Sequence, residues 1–251
     1  MSAITPSLGS VLNPGRRSLI IFIGIVLAVI VWSFLVGYGA MSMSRASALA
    51  FGLVIIAVSP KWIDDTKRWG IPVGLLGVLI TLQSLHMLEH ATQMVQFYYL
   101  KLPAGTSLGL ISALNVEWVH FTWNWLVWGL TVYLVVRGLR NPWSYVLLAW
   151  ATLHSLEHTY LLIRYLQVLR ELGPLGLPPL TVTQALPGVL GRNGWLALSE
   201  WCARIPGLTT APRSVIHFWW NAGEVVLLLL ASWRGAPKLW SQDSRLGQVK
   251  M

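Results

Sequence analysis

From 19 to 40 the chain is an unbroken apolar run, preceded by Arg16 and Arg17. A helix of about 20 apolar residues spans the hydrocarbon of a bilayer. In that solvent the backbone must satisfy its own hydrogen bonds, which leaves helices or closed barrels as spanning structures. Five more runs follow, at 44–60, 71–99, 115–136, 142–167 and 214–233. The pattern predicts an all-α, polytopic membrane protein with six transmembrane helices. The first run exceeds the roughly 7–15 residues of a signal-peptide core and is read as a retained span.

Composition agrees. Of 251 residues only 11% are charged and 55% are hydrophobic, whereas a soluble domain carries about 25% charged residues and a disordered chain is poor in apolar ones. The net charge of +9 comes from 18 Lys and Arg against nine acids. The basic residues border apolar runs instead of forming one basic face, so the expected partner is the lipid bilayer and not nucleic acid. With the N-terminus inside, eleven of the 18 fall on inner segments: Arg16, Arg17, Lys61, Lys67, Arg68, Arg137, Arg140, Arg234, Lys238, Arg245 and Lys250. This bias predicts both termini in the cytoplasm and residence in the cell inner membrane. Trp62, Trp69, Trp143, Trp233 and Trp240 lie at predicted span ends, as interfacial aromatic rings do. The single cysteine, Cys202, excludes an intrachain disulfide and a Cys-based metal cage.

All six histidines lie in the last four spans, and they form a repeat. His86-Met-Leu-Glu89-His90 is matched by His154-Ser-Leu-Glu157-His158, and His120-Phe-Thr-Trp-Asn124 by His217-Phe-Trp-Trp-Asn221. Each copy is separated from its mate by two spans, so both share one orientation in the membrane. The prediction is a pseudo-twofold axis along the membrane normal, relating two halves of a four-helix bundle around a metal site. The expected division is a cytoplasmic tail (1–18), two accessory spans (19–60), repeat one (71–136), repeat two (142–233) and a second tail (234–251). The connection 168–213 would serve as an outer lid, with a short interfacial helix within 194–205. At 1.5 Å per residue, all four motifs converge on the outer half of the bilayer, although alternate helices enter it from opposite sides.

Helical spacing places each motif's polar residues on one stripe. Six imidazoles facing buried carboxylates point to metal, because neutral imidazole is the commonest protein ligand and an intramembrane carboxylate is costly. Glu89, Glu117, Glu157 and Glu224 carry up to four negative charges, which two divalent ions would balance. The expected ligands are His86, Glu89, His90, His120, His154, Glu157, His158 and His217, with Glu89 and Glu157 also the candidate catalytic groups. Glu117, Asn124, Asn221 and Glu224 are expected to hold the imidazoles or add ligands. Gln93, Gln96 and Arg164 continue the stripes toward an outer mouth for substrate. Trp118, Trp123, Trp219 and Trp220 are expected to be packing and belt residues.

The ligand set is similar in logic to di-iron and di-manganese carboxylate bundles, in which inward Glu and Glu-x-x-His motifs build a symmetric centre. Glu117-Trp-Val-His120 fits that motif, but its mate has Arg213 or Ser214 near the acid's position. H-x-x-E-H is also the string of inverted zinc peptidases, which carry it once. The expected cofactors are two divalent transition-metal ions, with iron first, copper second and zinc third, and with haem less favoured. The expected function is a metal-dependent oxidoreductase acting with oxygen or on a lipophilic small molecule, with other membrane subunits or a redox partner nearby. The alternatives are a haem- or pigment-binding subunit of a larger complex, an intramembrane zinc hydrolase, and a metal carrier.

Overall fold

The computed structural model describes residues 8–13, 15–172, 186–205 and 207–248. Among them the protein is all-helical, with no strand. The helices are α1 (Leu8–Leu12), α2 (Ser18–Gly37), α3 (Met43–Trp69), α4 (Ile71–Met94), α5 (Glu117–Val136), α6 (Pro142–Leu172), α7 (Glu200–Ala203) and α8 (Arg213–Gln248). A π-helical turn, Val95–Tyr99, prolongs α4. Among the described residues, five stretches are long and apolar enough to cross a membrane: Gly15–Gly37, Met43–Trp69, Ile71–Tyr99, Glu117–Val136 and Arg213–Gly235. The expected fifth span corresponds to α6, a 31-residue helix that is not among the five. Its His154, Glu157, His158, Arg164 and Arg170 dilute its apolar content.

The expected end of the second span at residue 60 is corrected. Pro60 lacks an N–H and ordinarily ends or kinks a helix, yet α3 continues through it to Trp69. The Ser59 hydroxyl donates to the Ile56 carbonyl at 2.9 Å, supplying that oxygen with the partner Pro60 cannot provide. Lys61, Lys67 and Arg68 are therefore helical and not part of a polar loop. Lys61 is buried and forms an ion pair with Asp65 at 2.5 Å. The turn to α4 is the single residue Gly70, whose φ of 91° favours glycine. The helix α8 runs on past its candidate span, Arg213–Gly235, through the expected tail to Gln248. Of the expected 1–18 tail, residues 1–7 and 14 lie outside the described residues. So do 173–185 and 206 of the expected lid, and 249–251 at the C-terminus.

The chain forms two compact units. The first comprises Met1–Leu85, Gly129–Ala149 and Val225–Met251. Here α2 is apolar all round and buries only Ala28, while Leu19, Phe22 and Ile30 stay mostly exposed, as suits a lipid solvent. Gly24 lets α2 approach Ala57 of α3 with no room for a Cβ between them, and the Trp32 indole donates to Ser47 Oγ at 2.8 Å. The start of α6 is a reciprocal cap. Asn141 Oδ1 accepts from Ser144 N at 3.2 Å, Ser144 Oγ accepts from Asn141 N at 3.0 Å, and Pro142 takes the first helical position. Asn141 Nδ2 also donates to the Ala231 carbonyl of α8 at 2.9 Å.

The second unit comprises His86–Trp128 and Trp150–Glu224. It contains every histidine and all four glutamates of the repeated motifs. These boundaries cut across the predicted repeats 71–136 and 142–233, dividing each at its polar stripe. Trp125 and Trp128 of α5 donate to Thr159 and Thr152 of α6 at 3.1 and 3.0 Å. Trp150 of α6 donates to the Trp220 carbonyl of α8 at 2.9 Å. Gly223 accommodates the Trp150 ring, where a Cβ would collide with it.

Candidate metal centre

The four polar stripes meet. His86 and His90 project from α4, His120 from α5, His154 and His158 from α6, and His217 from α8. Five of the six rings are buried and His86 is half-buried. The rings form one contiguous set. The centroids of His86 and His90 are 4.7 Å apart, those of His120 and His158 5.2 Å, those of His158 and His217 4.6 Å, and those of His90 and His217 6.0 Å.

Two groups within this set have ligand geometry. The ligand atoms of His86, His90 and His120 lie within 4.8 Å of one another, and so do those of His154, His158 and His217. Each group takes two residues from an H-x-x-E-H helix and one from the next long helix, α5 after α4 and α8 after α6. His86 Nε2 and His90 Nε2 are 3.3 Å apart, and His158 Nε2 and His217 Nε2 are 2.7 Å apart. Two nitrogens that each sit about 2.0–2.1 Å from one tetrahedral ion are separated by about 3.3 Å. The α4 pair is therefore already at ligand spacing, and the tighter pair needs only a small opening.

The opposite ring nitrogens are held from behind. His90 Nδ1 lies 2.9 Å from Gln93 Oε1, and His154 Nδ1 lies 2.9 Å from Glu224 Oε1. His158 Nδ1 faces Glu117 Oε2 at 3.7 Å. The first two contacts fix which nitrogen is presented to an ion, whereas the third is longer than a hydrogen bond. Asn124 and Asn221 play a different part. Each donates its side-chain amide to the backbone carbonyl of the histidine four residues earlier, His120 and His217, at 2.9 Å.

Glu89 and Glu157 stand outside both imidazole groups. Glu89 accepts the backbone N–H groups of Leu110 and Ile111, each at 2.9 Å. It lies so close to Gly109 that a Cβ there would overlap its carboxylate. Glu157 is placed likewise against the connection before α8, where a Cβ on Gly188 would lie 2.9 Å from its Oε1. Neither Glu157 oxygen makes a well-formed hydrogen bond. Trp123 and Trp220, at matching places in the H-F-x-W-N motifs, lie 5.4 Å from His86 and His154 respectively. They are thus part of the centre's wall, while Trp118 and Trp219 are exposed as expected of belt residues.

Of the expected mouth residues, Gln93 joins the centre, bridging His90 to Asn115 Oδ1 at 2.6 Å. Gln96 instead braces the backbone of Gly109 through two hydrogen bonds, at 2.8 and 3.0 Å. Arg164 is paired with Gln167 at 2.8 Å on an exposed face. Two residues of the centre were not expected. Asn115 ties Gln93 to the Leu108 carbonyl, and Arg213 forms an ion pair with the fully buried Glu117. Counted from the paired His120 and His217, Glu117 matches Ser214 and Arg213 matches Val116, so the repeat gave no signal for this ion pair. A cavity of about 30 Å³ is lined by His90, His120 and His217 together with Gln93, Asn115 and Arg213.

No family model matches this chain, and no curated protein or solved structure is significantly similar to it. The test of a metal therefore rests on the residues themselves. Among the described residues, every buried side-chain polar atom without a hydrogen-bond partner lies in the second unit. They include His120 Nδ1, His154 Nε2, and the Oδ1 atoms of Asn124 and Asn221. Buried polar atoms are rarely left unpaired in a native fold, and a cluster of them marks an ion or ordered solvent. The donor set and its orphaned atoms fit a bound metal ion.

Proposed function

We propose that this is an integral membrane oxidoreductase built on a two-ion centre, each ion held by one three-histidine group. The observation that carries the reading is the pair of groups, each with ligand atoms within 4.8 Å, joined in one buried set of six rings. The sequence alone favours iron, on the assumption that Glu89 and Glu157 are ligands. With Glu89 engaged by Leu110 and Ile111, the donors are imidazoles, which suit copper at least as well, and copper binds such sites most tightly among the divalent metals. Copper therefore moves ahead of iron, and zinc stays third.

When bound, such ions supply one-electron steps and a place for oxygen to bind. The chain's own part is positional. Glu224 and Gln93 orient His154 and His90, Trp123 and Trp220 wall the centre, and the small cavity admits a ligand of about one or two non-hydrogen atoms. Oxygen is the natural candidate, with electrons arriving from a lipophilic donor, a redox partner or another membrane subunit. The cavity is far too small for a porphyrin, which weighs against haem or pigment.

The paired features support a parallel repeat with six spans. Glu89 beside Gly109 is matched by Glu157 beside Gly188, and His86 beside Trp123 by His154 beside Trp220. In this reading α6 spans the membrane as well, and the residues that dilute its apolar content include those of the centre. The Lys and Arg bias supports cytoplasmic termini and an inner-membrane location.

The test is metal quantification and visible spectroscopy on protein purified from its native membrane. Two copper or iron ions per chain are expected, with loss of metal in His90→Ala and His158→Ala. Unchanged metal content in both variants, zinc alone, or an intense Soret band would overturn the proposal.

A further inference from the structure

A second cavity, of about 190 Å³, lies within the first unit. Its walls come from Leu12 of α1, Ile21 of α2, Lys61 and Trp62 of α3, and Gly77 and Thr81 of α4. An apolar cavity of about 150 Å³ is enough to take benzene, so this one holds a single substituted ring. Most of the lining is apolar, and the Thr81 hydroxyl is committed to the Gly77 carbonyl at 2.9 Å.

Lys61 breaks the apolar pattern. Its ammonium has three N–H donors, and among the described residues its hydrogen bond is to Asp65 Oδ2 at 2.5 Å. A charged residue buried on a membrane-spanning helix is costly and is a functional-site signal by default. The Lys61–Asp65 pair is neutral as a unit, so it favours an uncharged acceptor over an anion. Trp62 adds an aromatic surface beside the same space.

We infer that this cavity binds a neutral lipophilic molecule with a single-ring head bearing a carbonyl oxygen, of the substituted benzoquinone class, with Lys61 donating to that oxygen. The ring would fill the apolar space, and Gly77 leaves room for it. This assignment stands independently of the histidine centre.

The test uses the full chain in detergent and two probes of equal shape, duroquinone and its oxygen-free counterpart durene, in equilibrium dialysis. Duroquinone is expected to bind one per chain, at least tenfold more tightly than durene. Removing Lys61 alone would strand Asp65, so the variant is the double replacement Lys61→Met with Asp65→Leu. It should lose at least tenfold in duroquinone affinity while its helical circular dichroism and melting profile stay near those of the parent. Gly77→Leu, at a site where a Cβ would meet its nearest neighbour at an ordinary 3.4 Å, should block both probes.

Four results would each overturn the inference. They are equal affinity for the two probes, duroquinone binding unchanged in either variant, no duroquinone binding at all, and a co-purifying fatty-acyl chain that duroquinone does not displace.

Discussion

His154 Nδ1 lies 2.9 Å from Glu224 Oε1, and both residues are wholly buried. The carboxylate fixes the ring so that Nε2, which has no hydrogen-bond partner, is the atom left to bind. Glu224→Leu removes that hold while keeping volume. Metal affinity should fall by about 10- to 100-fold, the usual cost of losing such a partner, and Glu224→Gln should lose less. Competition with a chelator of known affinity measures both.

The two three-histidine groups should empty separately. His86→Ala is expected to remove one metal equivalent per chain and His154→Ala the other, with the double variant holding none. Elemental analysis against protein concentration reads the stoichiometry. Loss of both equivalents in each single variant would mean that the six rings act as one indivisible site.

Between the starts of α5 and α8, the fully buried Glu117 forms an ion pair with the partly buried Arg213. Breaking such a pair on one side costs about 3–5 kcal/mol, whereas an apolar pair of similar volume is far better tolerated. Arg213→Met should thus lower the melting temperature sharply. The double change Glu117→Leu with Arg213→Met should recover most of the loss. Thermal melts in detergent give the comparison.

Gly109 has a φ of 73° and sits against the Glu89 carboxylate. Gly109→Ala faces both backbone strain, about 1–3 kcal/mol, and a steric overlap. The segment around Leu110 and Ile111 should then exchange its amide hydrogens much faster than in the parent. Hydrogen exchange resolved to that peptide is the readout, and Glu89→Gln should give a milder change in the same place.

Acid should release the metal. Ligation needs neutral imidazole, and a site of six such rings competes with protons at each one. Metal retention is expected to fall steeply, with more than one proton taken up per ion released, as pH is lowered. A titration of retained metal against pH in the presence of a fixed chelator checks the slope.

What the sequence makes legible is what periodicity and local chemistry decide. The start of α6 follows from Asn141-Pro142-Trp143-Ser144, and the six imidazoles meet as the paired motifs and helical stripes predict. Pro60 was less transparent. Whether it ends a helix depends on its neighbours, and here Ser59 supplies the hydrogen bond that keeps α3 intact. Glu89 illustrates a different limit. Its partners, Leu110 and Ile111, lie beyond the turn in a connection without periodicity, so spacing alone does not reveal these two hydrogen bonds. Arg213 and Glu117 are 96 residues apart, and no local pattern joins them.

The enclosure of one three-histidine group bears on how the proposed centre is filled. His154 and His158 are fully shielded, and the cavity beside the set is only about 30 Å³, so among the described residues an ion reaches this group less readily than it reaches the half-buried His86. On the proposed function, loading of this group would belong to biogenesis, before the helices close, with a donor present while the chain is being inserted. Expression in a host that lacks such a donor would yield intact chains that metal salts added afterwards fill only slowly, if at all.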